Sequence, residues 1–529
     1  MRTRLLSISL ALLLCWCDTA LAQRSGGMLR LFQRETPTTA SILEEGNAAT
    51  VVAFMPIFNN LVVFDPAVPQ NSDQSIVPDL AESWSWNKDK TELSFTLRRG
   101  VKWHDGMPFT SSDVECTFNL LTDRARNRLR TNPRGAWFGN VKSVRAKTDY
   151  DVTIHLNRPQ PSLLAMLASG LTPIYPCHVP LAQMRLNPVG TGPFVLDAFD
   201  RFDRIRLKRN PAYWKADRPY LDGIEFSVVA SRSAALLSFV AGRFDMTFPG
   251  EVSMTQLRDV KRQSSRVACE TTTMNINTNL LLNRDAAPFD NPDIRRALTL
   301  ALDRREFVGA LDSGSGLIGG HLYPAPEGRW GMPTEILANV PGYGTDLGKN
   351  REEARALMRS AGFGPDKSLQ IRMLTRAVSP YRNPVTVLSR QLREIYIEPA
   401  IDVVETTHWY TRLQRSDYAL AIETTGNGID DPDQVFYESF SCRSERNYSR
   451  YCNPEIERLF EVQSSELDDE KRRQLAWEID ARLLADGVRL PLAWRRAATC
   501  WQPHVRGFEP QTIGASNGFR FEDVWMERR

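Results

Sequence analysis

The 529-residue sequence has no run of about 18 uninterrupted apolar residues, which excludes a bilayer-spanning helix of ordinary length. It has no excess of one charge: 66 Lys and Arg face 63 Asp and Glu, a net of +3. That balance argues against an electrostatic nucleic-acid binder. Histidine is scarce and scattered, at His104, His155, His178, His321, His408 and His504. No two are close enough for a local metal motif, so no metal site is expected. The H-E-x-x-H pattern is missing, and Gly314-Ser315-Gly316 lacks the spacing of a G-x-S-x-G elbow. A secreted hydrolase therefore has no signature here. Repeats and low-complexity linkers are absent too. What remains is an ordinary globular composition, 42% apolar and 24% charged. The length suits about three to four domain-sized units.

Residues 1–22 read as a secretory signal peptide. Arg2 and Arg4 supply the basic start, residues 5–16 the short apolar stretch, and Ala20-Leu21-Ala22 the small residues for cleavage. Export to the periplasm follows. Removing this segment takes Cys15 and Cys17 with it and leaves Cys116, Cys177, Cys269, Cys442, Cys452 and Cys500. An even count in an exported chain points to disulfides. Cys442 and Cys452 flank the short polar loop SCRSERNYSRYC and are the pair that spacing favours.

Strands and helices alternate throughout, an α/β texture. Residues 92–98 (ELSFTLR) alternate like a half-buried strand, as do 204–208 (RIRLK), whose basic residues read as a wet face. Residues 110–121 open on hydroxyl caps and place Val114, Phe118 and Leu121 at helical spacing. Asn291 with Pro292 starts a helix over 291–302. Further helices are expected at 351–361, 380–396, 453–463 and 467–484.

Four segments carry a family resemblance. They are VPDLAESWSWNKDKTELSFTLRRGVKWHDGMPFTSSDV at 77–114, NPVGTGPFVLDAFDRFDRIRLKRNPAYWKADRPYLDGIEF at 187–226, PFDNPDIRRALTLALDRREFV at 288–308 and YCNPEIERL at 451–459. Together, and in this order, they resemble the family 5 solute-binding proteins of ABC importers, which include dipeptide-, oligopeptide- and nickel-binding proteins. The resemblance implies a two-lobed α/β fold of the periplasmic-binding-protein kind. The chain would cross between lobes near 271–277 and 489–494. Residues 23–272, with an extra subdomain at 72–186, would form the first lobe, 273–494 the second, and 495–529 a return to the first. Cys269 and Cys500 would then lie just on the first-lobe side of the crossings and pair, leaving Cys116 for Cys177. A peptide or peptide-like solute would sit between the lobes and pass to a membrane permease with its ATPase subunits. The protein would act as a monomer, without cofactor or catalytic group. A non-peptide polar solute such as an opine, a sugar or a modified amino acid is the alternative.

The resemblance also assigns pocket positions, and the sequence departs from several. Peptide-binding relatives carry a carboxylate four residues before a Pro. In TTGNGIDDPDQVF (424–436) that position is Gly428, with Asp430 and Asp431 as nearby substitutes. The Trp expected just before it is Thr424. Trp409 matches a pocket-side Trp. The expected Tyr of the first crossing strand is Asn279, which shares a strand face with Asn275 and Asn277. Phe58, Asn59 and Asn60 edge the cleft by family position. The expected ligand set is thus Phe58, Asn60, Asn277, Asn279, Trp409, Asp430 and Asp431. His104 is expected to be structural.

Overall fold

The computed structural model describes residues 23–33, 35–200 and 203–527, so the expected signal peptide lies outside the described residues. Three sheets of four or five strands organise the chain. In the first, Met28–Gln33 pairs in parallel with Gly223–Val228, and the sheet continues antiparallel through Arg204–Arg209 to Phe194–Phe199. Arg204–Arg209 alternates exposed and buried residues, and its basic side chains face water.

The second sheet runs Ile397–Val404, Leu369–Arg376, Leu420–Gly426, Ala268–Leu282, Arg489–Trp501. Its parallel strands need crossover connections, and the helices Ser379–Arg393 and Thr406–Gln414 provide them. The third sheet is an antiparallel set: Ala81–Trp86, Glu92–Leu97, Asp151–Leu156 and Val141–Thr148.

Buried apolar side chains gather in two large, separate cores. One spans Leu29 to Met246 and is rejoined by Val505, Phe519, Phe521 and Val524. The other spans Leu280 to Ala493. Two long strands run between them. Ala268–Leu282 and Arg489–Trp501 pair antiparallel from Ala268↔Trp501 to Leu281↔Arg489, with the register shifting between Thr273 and Asn277. Cys269 and Cys500 face each other in that ladder and are bonded, as are Cys116 with Cys177 and Cys442 with Cys452.

Local signals explain several element ends. Asn291 caps the helix Pro292–Ala301 by accepting from the Asp293 N–H at 2.9 Å, and Pro292 fills its first turn. Thr110 and Asp113 form a capping box, and the same Asp113 oxygen accepts from Trp103 Nε1 at 3.2 Å. The turn at Gly190 and Gly192 lies so close to Ile57 that a Cβ on either would collide with its backbone. His104 locks onto this turn. Its Nδ1 accepts from the Gly190 N–H at 3.3 Å and its Nε2 donates to the Gly192 carbonyl at 3.1 Å. Burial pushes its pKa down to about 4, so the ring is neutral with both nitrogens satisfied.

Candidate functional site

A cleft of about 220 Å³ lies between the two cores. On the first side its wall is Gln33 and Glu35, the start of helix Ala48–Phe54, and the loop 508–519. The crossing strands give Thr272, Asn275 and Thr499. The second side gives Arg376, Tyr381, Tyr410, Thr424, Asn427 and Arg446.

Arg376 ends the strand Leu369–Arg376 and points its guanidinium across the cleft. Its Nη2 lies 3.0 Å from both Glu35 carboxylate oxygens and 2.7 Å from Thr406 Oγ1. The rings of Tyr381, Tyr410 and Trp409 stand 4.5, 5.6 and 5.7 Å from the guanidinium carbon. Burial by itself would weaken its charge, but Tyr381, Tyr410 and Glu35 reverse that and hold its pKa above the ordinary value. Arg446, a second cation at the cleft, pairs with Glu438 at 2.8 Å.

The two sides also touch away from this cleft, at residues most of which line a separate cavity. Trp137 Nε1 donates to Glu438 at 3.0 Å, Arg158 to the Tyr437 hydroxyl at 2.8 Å, and the Asn132 N–H to Glu445 at 2.8 Å. With the Glu35–Arg376 pair, these contacts describe a closed cleft.

Most of the residues expected to bind ligand lie elsewhere. Phe58 is not at the cleft edge. It stacks on Tyr175 at 5.2 Å inside the first core. Asn60 is spent on structure: it donates to the Leu167 carbonyl at 3.0 Å and accepts from Arg520 at 2.8 Å. Asn277 and Asn279 bond to each other and lie next to a buried network in which Arg489 meets Glu423 at 3.0 Å and Thr425 at 2.8 Å. Asn275 is the member of that face which lines the cleft. Trp409 is 1% exposed and sits edge-on to Tyr381 and Tyr410, behind Arg376 rather than in the cavity.

Asp430 lines a different cavity, of about 130 Å³, and accepts from the Arg329 N–H at 2.7 Å. Burial pushes its pKa up to about 7. Asp431 caps the helix Pro432–Ser439 and takes a bidentate pair from Arg472 at 2.7 and 2.8 Å. At Gly428 a side chain would have to displace its neighbours. A Cβ there would meet Leu171 at 2.5 Å and Ser169 Oγ at 2.9 Å.

Residues 75–447 match the family described as bacterial extracellular solute-binding proteins, family 5. The chain belongs to the family 5 extracellular solute-binding proteins. Among curated relatives, probable di/tripeptide-binding protein 5 of Pseudomonas aeruginosa is 26% identical over 486 residues, covering 87% of this chain and 88% of that protein. Two solved structures share the fold. The periplasmic binding protein DppA from Helicobacter pylori, in complex with peptide STSA, has a TM-score of 0.83 at 21% identity, over 96% of this chain and 99% of that one. AgaA of A. tumefaciens, in complex with agropinic acid, has a TM-score of 0.80 at 20% identity, over 95% and 99%. The family consists of substrate-binding proteins, not enzymes, and the role of this member is to bind substrate for an ABC importer.

Sequence reasoning missed Gln33, Glu35 and Arg376 as cleft residues of this family 5 protein. No local signal marks them: Gln33 ends the strand Met28–Gln33, Glu35 lies just past it, and Arg376 ends a strand far along the chain.

Proposed function

We propose that this family 5 protein captures a short, zwitterionic peptide or peptide-like solute in the periplasm and hands it to a membrane permease driven by ATPase subunits. It reaches the periplasm through the cleaved segment 1–22 and acts as a monomer. The first lobe is 23–272 with 495–529, carrying the subdomain 72–186, and the second is 273–494. The hinge lies where the crossing strands lose register, between Thr273 and Asn277. The observation that carries the ligand reading is the Glu35–Arg376 pair: one anion and one cation, each from a different lobe, meeting inside a closed cleft. A zwitterion inserted there pairs its ammonium with Glu35 and its carboxylate with Arg376. Drug-sized pockets run from about 300 to 1,000 Å³. A cleft of about 220 Å³ is smaller and favours a dipeptide over a long peptide.

Calorimetric titration with alanyl-leucine, N-acetyl-alanyl-leucine, alanyl-leucinamide and agropinic acid tests this. Saturable binding of the free dipeptide, with both blocked forms much weaker, is expected. Preference for agropinic acid would replace the peptide with an opine, and failure to bind any of the four would end this ligand reading.

A further inference from the structure

Gln33 is 1% exposed and lines the cleft, yet neither its Nε2 nor its Oε1 has a hydrogen-bond partner. Its backbone is fully engaged, since Gln33 pairs in register with Val228 and its carbonyl accepts from the Val229 N–H at 2.8 Å. The side chain alone is left over. A buried amide without partners is costly, and folded proteins rarely keep one unless something else completes it. Glu35 lines the same cavity, and its carboxylate meets Arg376 across it.

We infer that Gln33 is a specificity-determining residue that reads the backbone of an extended ligand. A carboxamide presents one donor and one acceptor side by side. The N–H and C=O of a single residue in extended conformation also point the same way, as they do when antiparallel strands exchange two bonds. The two sets are complementary: Oε1 accepts from the residue's amide N–H, and Nε2 donates to its C=O oxygen, which in the second residue of a dipeptide is one carboxylate oxygen, the other meeting Arg376. The residue read in this way needs a free amide hydrogen. The site therefore selects secondary amides and rejects N-alkylated ones, proline included. Nothing in this contact depends on the ligand's side chains, so Gln33 supplies recognition of peptide character without sequence preference.

The inference rests on the peptide reading above, and the test separates the two. Alanyl-leucine and alanyl-N-methylleucine are titrated into the full mature chain and into Gln33→Met, which keeps length and removes the amide. The unmodified protein should prefer alanyl-leucine by about tenfold or more. Gln33→Met should bind alanyl-leucine about ten- to a hundredfold more weakly and lose the preference. Its melting temperature without peptide should be equal or higher, because an unsatisfied amide has been replaced by an apolar chain. Binding of neither peptide by the unmodified protein would overturn the peptide reading and this inference with it. Binding by both proteins with the same preference would overturn the inference alone. A lower melting temperature for unliganded Gln33→Met would also overturn it, since the amide would then serve the fold.

Discussion

Glu35 and Arg376 are 341 residues apart in sequence and 3.0 Å apart in space, one on each wall of the cleft. The pair spans the two cores inside the cleft, so it is both a ligand-type contact and a closure contact. A ligand shifts the balance between open and closed forms only by its differential affinity for them. Charges contributed by both sides supply that difference. Arg376→Met should lower affinity for alanyl-leucine by about 2–5 kcal/mol, as the loss of a desolvated charge partner does. Calorimetry reads the affinity, and small-angle scattering should show less compaction on adding the dipeptide. Unchanged affinity would remove Arg376 from the binding set.

Trp409 supports this site from behind. With 1% of its surface exposed and its ring against Tyr381 and Tyr410, truncation leaves a cavity in the second core. Trp409→Ala should cost about 3–5 kcal/mol in urea unfolding. A variant of normal stability would show that the indole is not core.

Gly428 tests whether the missing family carboxylate can be restored. Gly428→Asp forces its side chain against Leu171 and Ser169. Overpacking of this kind costs about 1–3 kcal/mol. Urea unfolding should show that loss, and titration with alanyl-leucine should show no gain. Tighter binding by a stable variant would mean that the loop can accept the acid.

His104 gives the fold a pH dependence of definite sign. Its pKa is about 4 in the folded chain against 6.5 for the free side chain. Between those values the unfolded state takes up a proton that the native state refuses. Stability is therefore fully present above about pH 6.5 and is lost progressively as pH falls toward 4. The loss amounts to about 3 kcal/mol. His104→Gln can keep a donor and an acceptor on the turn but cannot titrate. Urea unfolding at a series of pH values should give it a flatter profile over that window, and an unaltered slope would assign the dependence to another group.

Much of the scaffold was legible because its signals are local. The Asn291-Pro292 start, the Thr110 cap and the alternation at 204–208 act over a few residues and appear where the sequence puts them. The pocket is assembled from distant pieces, and there the sequence misled. Asp431 looks like a free acid until Arg472, 41 residues away, is folded onto it. Asn60 looks like a cleft amide until Arg520 arrives from the far end of the chain. Asn279 is two residues from Asn277 and shares its face, but that face meets Thr425 instead of solvent. Gln33 was overlooked for the opposite reason. Its significance is the absence of any partner, which only the packed structure reveals.

The Cys269–Cys500 bond has a mechanical consequence. It fastens the two crossing strands at their first-lobe end, where they are also paired residue for residue from Ala268↔Trp501 to Thr273↔Arg496. Strands joined in this way cannot slide past one another, so shear between the lobes is closed off and rotation remains. The ladder is interrupted just beyond that point, between Thr273 and Asn277, where the proposed hinge lies. On the proposed hinge, the molecule is left with one principal coordinate, the angle between its halves.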